Sequence, residues 1–412
     1  MTTLQPTGGI NNRSKDINIP KDGRGSPLFV RNAVNVNISP EGVFSSREGI
    51  GQVWFGAGCR DGFSCPGGSF FRQGTVIMKF NGPNDAEVIA EGVTGTQVSW
   101  FYDHATGNIF FSDSLNAKKI LPSWVVRRWG IVPPATAPIL SGTGHLGAGT
   151  YSCCYTYLGE DGTESGASPV RSASEGRLVS GLSDSPDRQV VGKKVYLTTP
   201  NGSEYYFAGM APVGQSSLLV NFDHRSGEQL PTKGKTCPPA GHIIRRFGAR
   251  MMIADKSRIW FSTAFSSDLI SIGEFTSGDN EINFWQFPKA ISVMEPVEGG
   301  IWVVSDQTYF VSGKDLTNSS PMVVDQETAV FGTSYVDEGK AYWFGSKGEV
   351  VAEPGGGIRY PQYDNVAAPI SETGATAIMV NDGNKNKITI LNDGTANKLQ
   401  DKDWAIKRQN YE

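Results

Sequence analysis

The sequence predicts an all-β protein, and three observations carry that prediction. The 412 residues include 50 glycines and 23 prolines, well above the ~12% that these two make up on average. Aromatic residues are 10% and charged residues 19%, against a usual charged share near ~25%. Short apolar runs bounded by Gly, Pro, Asn and Asp recur along the chain, as strands joined by tight turns require. A helical bundle, a coiled coil or a disordered chain would be rich in Glu, Lys and Gln and poor in aromatics. The length allows about two or three domains. A net charge of −4 excludes a strongly basic nucleic-acid clamp.

The first twenty residues, Met1 to Pro20, contain no apolar core and do not read as a secretory signal. No window approaches the ~18 apolar residues of a membrane-spanning helix. Five cysteines are too few for a disulfide scaffold. Cys59 and Cys65 lie in a Gly-rich stretch read as a loop. They could close a disulfide in a particle that leaves the cell, but free thiols of a cytosolic product are the favoured reading. Cys153 and Cys154 are adjacent and should face opposite sides of a strand. Cys237 stands alone.

In chain order, Ala33–Ile38 alternates apolar and polar residues, turns at Ser39-Pro40-Glu41-Gly42, and returns at Val43-Phe44, which predicts a hairpin. Val53-Trp54-Phe55, Val76-Ile77-Met78, Val98–Phe101 and Ile109-Phe110-Phe111 read as short strands, with turns at Asn81-Gly82-Pro83 and Thr106-Gly107-Asn108. The prolines of Val132–Pro138 deny hydrogen bonds to a continuing ladder and mark a linker. Residues 138–240 differ in character. Gly149–Leu158 alternates, with Tyr151, Cys153, Tyr155 and Tyr157 on one face. Gly162 suits a turn with φ > 0. Pro200-Asn201-Gly202-Ser203 joins two further strands as a hairpin. About 100 residues of strands without helix fit a small β-sandwich. Cys237-Pro238-Pro239 closes the segment with prolines, as it opened.

From 241 the pattern of residues 50–135 returns. Arg258-Ile259-Trp260-Phe261-Ser262 resembles Asn108-Ile109-Phe110-Phe111-Ser112, and compact runs follow at Gly300–Val304, Lys340–Phe344 and Lys387–Ile390. Ile259, Ile301, Ala341 and Ile388 are spaced 42, 40 and 47 residues apart. With 138–240 removed, Ile109 falls on the same rhythm. A period of roughly 40–50 residues of short strands predicts β-propeller blades, about six or seven here. The organisation read from sequence is therefore an N-terminal arm and first part of a propeller (1–137), an inserted fibronectin- or immunoglobulin-like sandwich (138–240), and the rest of the propeller (241–412). Two unrelated sandwiches are the rival architecture.

Little in the sequence suggests chemistry. His104, His145, His224 and His242 form no close pair and the cysteines form no CxxC, so no metal site is expected. There is no G-x-S-x-G elbow and no phosphate-binding P-loop. Gly355-Gly356-Gly357 reads as a loop tip, with no helix behind it to cradle phosphate. Many propellers cleave sugars, so carboxylates need attention: Asp103, Asp113, Asp255, Asp268, Asp306 and Asp337 are the candidates for a glycosidase pair. The favoured reading is that they cap turns. The sialidase Asp-box is absent; Asn392-Asp393-Gly394-Thr395 matches it only in part. Arg127-Arg128 with Trp124 and Trp129, and Arg245-Arg246 with Phe247, are candidates for stacking on nucleic acid. In an acidic chain they read instead as packing or interface arginines.

Four stretches resemble tail proteins of short-tailed bacteriophages. They are Gly8–Asn12 with Arg31–Asn37 and Gly42–Gly49; Gly147–Tyr151 with Asp161–Ser165; Pro238–His242 leading into Phe247–Ala254; and Gly299–Gly313. The chain resembles the podovirus-type tail nozzle, or packaged-DNA stabilisation, family. The resemblance implies a structural virion protein, not an enzyme: a ring, usually a homo-hexamer, below the portal and adaptor, made in the host cytoplasm and resident in the tail. It implies head–tail connector (adaptor) and tail fibre or tail-spike partners, no cofactor, and a channel that retains and then conducts genomic DNA without reading its sequence. A net-negative ring without a basic patch is compatible with that task, because each neutralised phosphate would add affinity. The alternative function is a carbohydrate-binding or carbohydrate-cleaving propeller of the tail. It would show carboxylates and exposed aromatics such as Trp124, Trp129 or Trp285 around a pocket.

Overall fold

The computed structural model describes residues 36–38, 44–46, 56–141, 149–174, 176–220, 227–271, 284–313, 319–364, 371–381 and 384–392. All regular structure among them is β-strand, and none is helical. The chain divides into two compact units, Gly56–Gln286, and Met1–Phe55 with Phe287–Glu412.

The unit Gly56–Gln286 contains three antiparallel four-stranded meanders. The first runs through Cys59–Cys65, Gly68–Gln73, Val76–Gly82 and Asp85–Ala90. The second is built from Ser99–Tyr102, Ile109–Ser112, Ala117–Ile120 and Val126–Arg128. The third comprises Ile243–Phe247, Arg250–Asp255, Arg258–Phe261 and Phe284–Gln286. First and second share a core that includes Phe70, Ile77, Trp100, Ile109 and Phe111. Phe110 and Trp129 pack instead with Ile244 and Ile253 of the third. Adjacent residues of Ile109–Ser112 thus serve opposite sides of their sheet, which is why that run is apolar without alternation.

Between the second and third meanders lies a module of two sheets. One contains Ile139–Ser141, Leu178–Ser180 and Ser217–Leu219. The other orders Arg171–Ala173, Tyr151–Gly159, Val190–Thr198 and Tyr205–Pro212 across its width. Both contribute to one core, and Tyr151, Cys153, Tyr155 and Tyr157 all enter it from the same face of their strand. Cys154 faces the other way, into a smaller cluster with Tyr196, Tyr205 and Leu230. The turns use the residues expected of them: Gly162 has φ 82 and Asn201 φ 58, conformations that cost glycine little and that asparagine tolerates.

The unit of Met1–Phe55 and Phe287–Glu412 carries a fourth meander (Val293–Val297, Gly300–Val304, Thr308–Ser312, Met322–Asp325) and a fifth (Tyr335–Asp337, Lys340–Gly345, Gly348–Ala352, Ile358–Arg359). It also holds the pair Thr373–Asn381 and Asn384–Asn392 and the expected N-terminal hairpin, Val36–Ile38 with Phe44–Ser46. Trp302 and Trp343, both buried, meet in its core at a ring-centroid distance of 6.0 Å. The described residues hold five four-stranded meanders outside the two-sheet module, where the rhythm predicts six or seven repeats.

Several local expectations need correction. Cys59 and Cys65 do not sit in a loop; they are the two ends of one strand, about 20 Å apart at ~3.3 Å per residue, so no disulfide can join them. All five thiols are free. The glycine content suggested a loop, but Phe63 turns inward and stacks on Trp100 at 5.5 Å, which fixes the strand. The run Arg258–Phe261 is the third strand of its meander, whereas Ile109–Ser112 is the second. Their likeness reflects shared burial rather than shared position. The reversal after Val76–Gly82 falls at Pro83-Asn84, with Asn84 at φ 57. Val53-Trp54-Phe55, His145, His224 and Asp393 lie outside the described residues.

The thiols give a direct check of these placements. Burial pushes the Cys153 thiol up strongly, and burial pushes Cys154 up to about 12; Cys59 is exposed. Since the thiolate is the reactive form, a thiol reagent at pH 8 should modify Cys59 first and spare Cys153 and Cys154 until the protein unfolds. Rapid modification of either buried thiol in the native protein would contradict the two-sheet core.

Candidate functional site

The candidate carboxylates are dispersed, and five of the six bind a group of the chain itself. Asp113 is fully buried and accepts hydrogen bonds from the backbone N–H groups of Gly95, Leu115 and Asn116, at 2.9, 3.0 and 2.6 Å. Burial would push this carboxyl up; those N–H groups more than offset it and hold it below its ordinary 3.8. Asp103 closes the turn 103–107 through Ala105 and Thr106, and takes the Arg246 guanidinium at 2.7 Å. One suspected carboxylate and one suspected arginine doublet are thereby a single ion pair. Asp306 accepts from the Tyr309 hydroxyl at 2.9 Å. Asp337 accepts from Lys385 at 2.8 Å and lies 3.4 Å from the Lys387 ammonium. Asp255 stands at the hairpin end opposite Arg258.

Asp268 leads to a group that sequence reasoning missed. Lys119 is 3% exposed and donates to Asp268 at 3.0 Å and to Asp161 of the two-sheet module at 3.1 Å. Its neighbour in the ladder, Arg127, pairs with Glu160 in the same module turn. Two cations on one sheet face thus grip the two acidic residues of one turn. No local pattern marks Lys119, because its partners lie 42 and 149 residues away.

Of the three tryptophans expected around a sugar pocket, two are in the core. Trp129 is fully buried and donates its indole N–H to the Ser267 carbonyl at 2.8 Å. Trp285 packs on Phe261 at 4.6 Å. Trp124 is 39% exposed, at φ 66 in the turn before Val126–Arg128, but the Lys79 ammonium sits 4.1 Å over its ring and Phe70 lies against it. Gly355 and Gly356, at φ 87 and 102, make the hairpin turn between Gly348–Ala352 and Ile358–Arg359. Among the described residues no three His, Cys, Asp or Glu side chains converge as metal ligands, and no helix is long and apolar enough to cross a membrane.

The notable concavity is a groove of about 670 Å³ at the meeting of the first meander, the second meander and the two-sheet module. Asp85–Ala90 and Val126–Arg128, the outermost strands of their sheets, contribute Ile89, Ala90 and Val126 to its wall. Lys118, Arg127, Arg128 and Arg188 supply positive charge, against Glu91, Glu160 and Asp187. Lys118 is engaged by the Glu91 carbonyl at 2.7 Å. Arg128 and Arg188 are exposed and have no polar partner among the described residues. Gln189 is 5% exposed; its amide nitrogen donates to Asp187 at 2.8 Å and to the Gly130 carbonyl at 3.3 Å. Its amide oxygen, and Nη1 of Arg127, are buried without a partner among the described residues.

No family model and no curated protein matches the sequence. Among solved structures, the chain is similar to the AfRom2 CNH domain at 8% identity and a TM-score of 0.27, covering 82% of this chain and 96% of that one. It is also similar to PorZ, a surface component of the type-IX secretion system of Porphyromonas gingivalis, at 11% identity and a TM-score of 0.20, covering 84% of this chain. A third likeness is to the extracellular domain of a hybrid two-component system from B. thetaiotaomicron, at 11% identity and a TM-score of 0.22, covering 80% of this chain. The chain spans about half the length of the last two, 45% and 53%.

Proposed function

We propose that the protein is a structural component of a short-tailed bacteriophage virion, a tail nozzle that assembles as a ring and conducts DNA passively. In this reading the four-stranded meanders are propeller blades forming a stiff wall, and residues 138–240 are an inserted fibronectin-like module that meets neighbouring copies or the adaptor. The observation that carries the reading is the chain order: two meanders, a two-sheet module pinned by Lys119 and Arg127, then three meanders. That order is what the resemblance to nozzle proteins implies. The commitment of Asp103, Asp113, Asp268, Asp306 and Asp337 to internal partners supports a structural role over a sugar-cleaving one.

Light scattering and negative-stain imaging of the purified chain test this. A closed ring near six times the 44.4 kDa chain mass is expected, held by large mixed interfaces. A strict monomer that binds saccharide or releases reducing ends would replace the nozzle with the carbohydrate reading.

A further inference from the structure

We infer that the groove between Asp85–Ala90 and Val126–Arg128 is a docking site for an extended acidic peptide segment of another protein. The inference goes beyond the ring reading and stands without it.

Four features converge on that occupant. The first is shape. Both bordering strands are sheet edges, so their outer backbone groups are open to a further strand. Asp85–Ala90 offers six residues, about 20 Å of ladder, and the groove volume lies within the ~300–1,000 Å³ of ligand sites. The second is charge. Arg128 and Arg188 line the groove and form no ion pair among the described residues, in a chain whose net charge is −4. An arginine fork matches a carboxylate in two-point geometry.

The third feature is the pair of stranded polar atoms. Among the described residues the Gln189 oxygen is an acceptor without a donor, and Nη1 of Arg127 is a donor without an acceptor. The Gln189 amide cannot be turned round to cure this, because its nitrogen already serves two oxygens, Asp187 and Gly130. A buried polar atom left unpaired is unfavourable. Both residues line the groove, so a ligand group that carries a donor and an acceptor is the kind that can pair with them once it is seated there. A peptide backbone carries N–H and C=O together, whereas a phosphodiester carries acceptors only. The fourth is the lining, which includes Ile89, Val125 and Pro186 but no aromatic ring. Single-stranded nucleic acid binds by stacking its bases on aromatics, and nothing here offers that. Apolar side chains alternating with acidic ones along a strand would satisfy wall and arginines in turn.

Fluorescence anisotropy on the full chain tests the proposal with three labelled probes: a ten-residue alternating Glu-Val peptide, the matching Lys-Val peptide, and a twelve-nucleotide oligo-dT. The Glu-Val peptide is expected to bind, to weaken at least tenfold between 50 and 500 mM NaCl, and to weaken at least tenfold in Arg128→Glu/Arg188→Glu. Both arginine side chains are exposed and hold no bond among the described residues, so the double variant should keep the wild-type thermal midpoint. Should it not fold, Arg188→Ala serves, with an expected loss of at least threefold. Hydrogen exchange should show protection of Asp85–Ala90 or Val126–Arg128 amides on binding. No binding, equal binding of the Lys-Val peptide, tighter binding of oligo-dT, undiminished binding by the variants, or protection only elsewhere would each overturn it. Loss of self-assembly in the double variant would make the groove a contact between copies and overturn it as well. Ring formation by wild type, measured separately, keeps that outcome distinct from failure of the nozzle reading.

Discussion

Lys119→Met should lower the stability of the unit Gly56–Gln286 by about 3 kcal/mol, because it removes a buried cation that two partly exposed carboxylates share. For a unit of this size that is a fall of roughly 6–12 °C in thermal midpoint. The pH dependence separates this cause from loss of packing. Burial pushes the Asp161 carboxyl up, but the Thr163 N–H and Lys119 outweigh it and hold it below its ordinary 3.8. A depressed carboxylate contributes stability that is complete above its unfolded value and is lost as pH falls through its folded one. The gap between wild type and variant should therefore be widest near neutrality and narrow below about pH 4, in thermal scans across pH 3–8. A gap of constant size would show that Lys119 matters for its stem and not its charge.

Asp113→Asn is expected to cost about 1.5–3 kcal/mol, the range of hydrogen bonds to a charged acceptor. The substitution preserves shape but replaces an oxygen with an NH₂ that must face N–H donors. The backbones approach closely here: a Cβ on Gly95 would lie 1.5 Å from the Asp113 carbonyl oxygen. Gly95→Ala should therefore be damaging too, and because the two residues touch, the double variant should cost less than the singles combined. Denaturant titration of the four proteins measures this. Simple additivity would mean that the loop does not act as one body.

The exposed strand Met322–Asp325 shows how local sequence misleads. Met322 and Val323 are 64% and 52% exposed, though an apolar run reads as core. The run Gly300–Val304, equally apolar, is buried on both faces. One lies at the edge of its sheet and the other inside it, and strand order is a property of pairing, not of composition. The aspartates make the same point. Each was recognisable as a candidate acid or a turn cap, but Asp103 acquires Arg246 only because the chain returns 143 residues later.

Composition, turn residues and the period of apolar runs determined that this chain is all-β, where several reversals fall, and which residues of Tyr151–Gly159 share a face. These are short-range consequences of sterics and alternation, and they are written within ten or so residues. The tertiary structure alone decided that Cys59 and Cys65 stay apart, that Lys119 is buried between two carboxylates, and that two sheet edges frame a groove lined by exposed arginines. Each of these depends on which distant segments are brought side by side. Burial and charge pairing act through space, so a residue's neighbours along the chain say little about them.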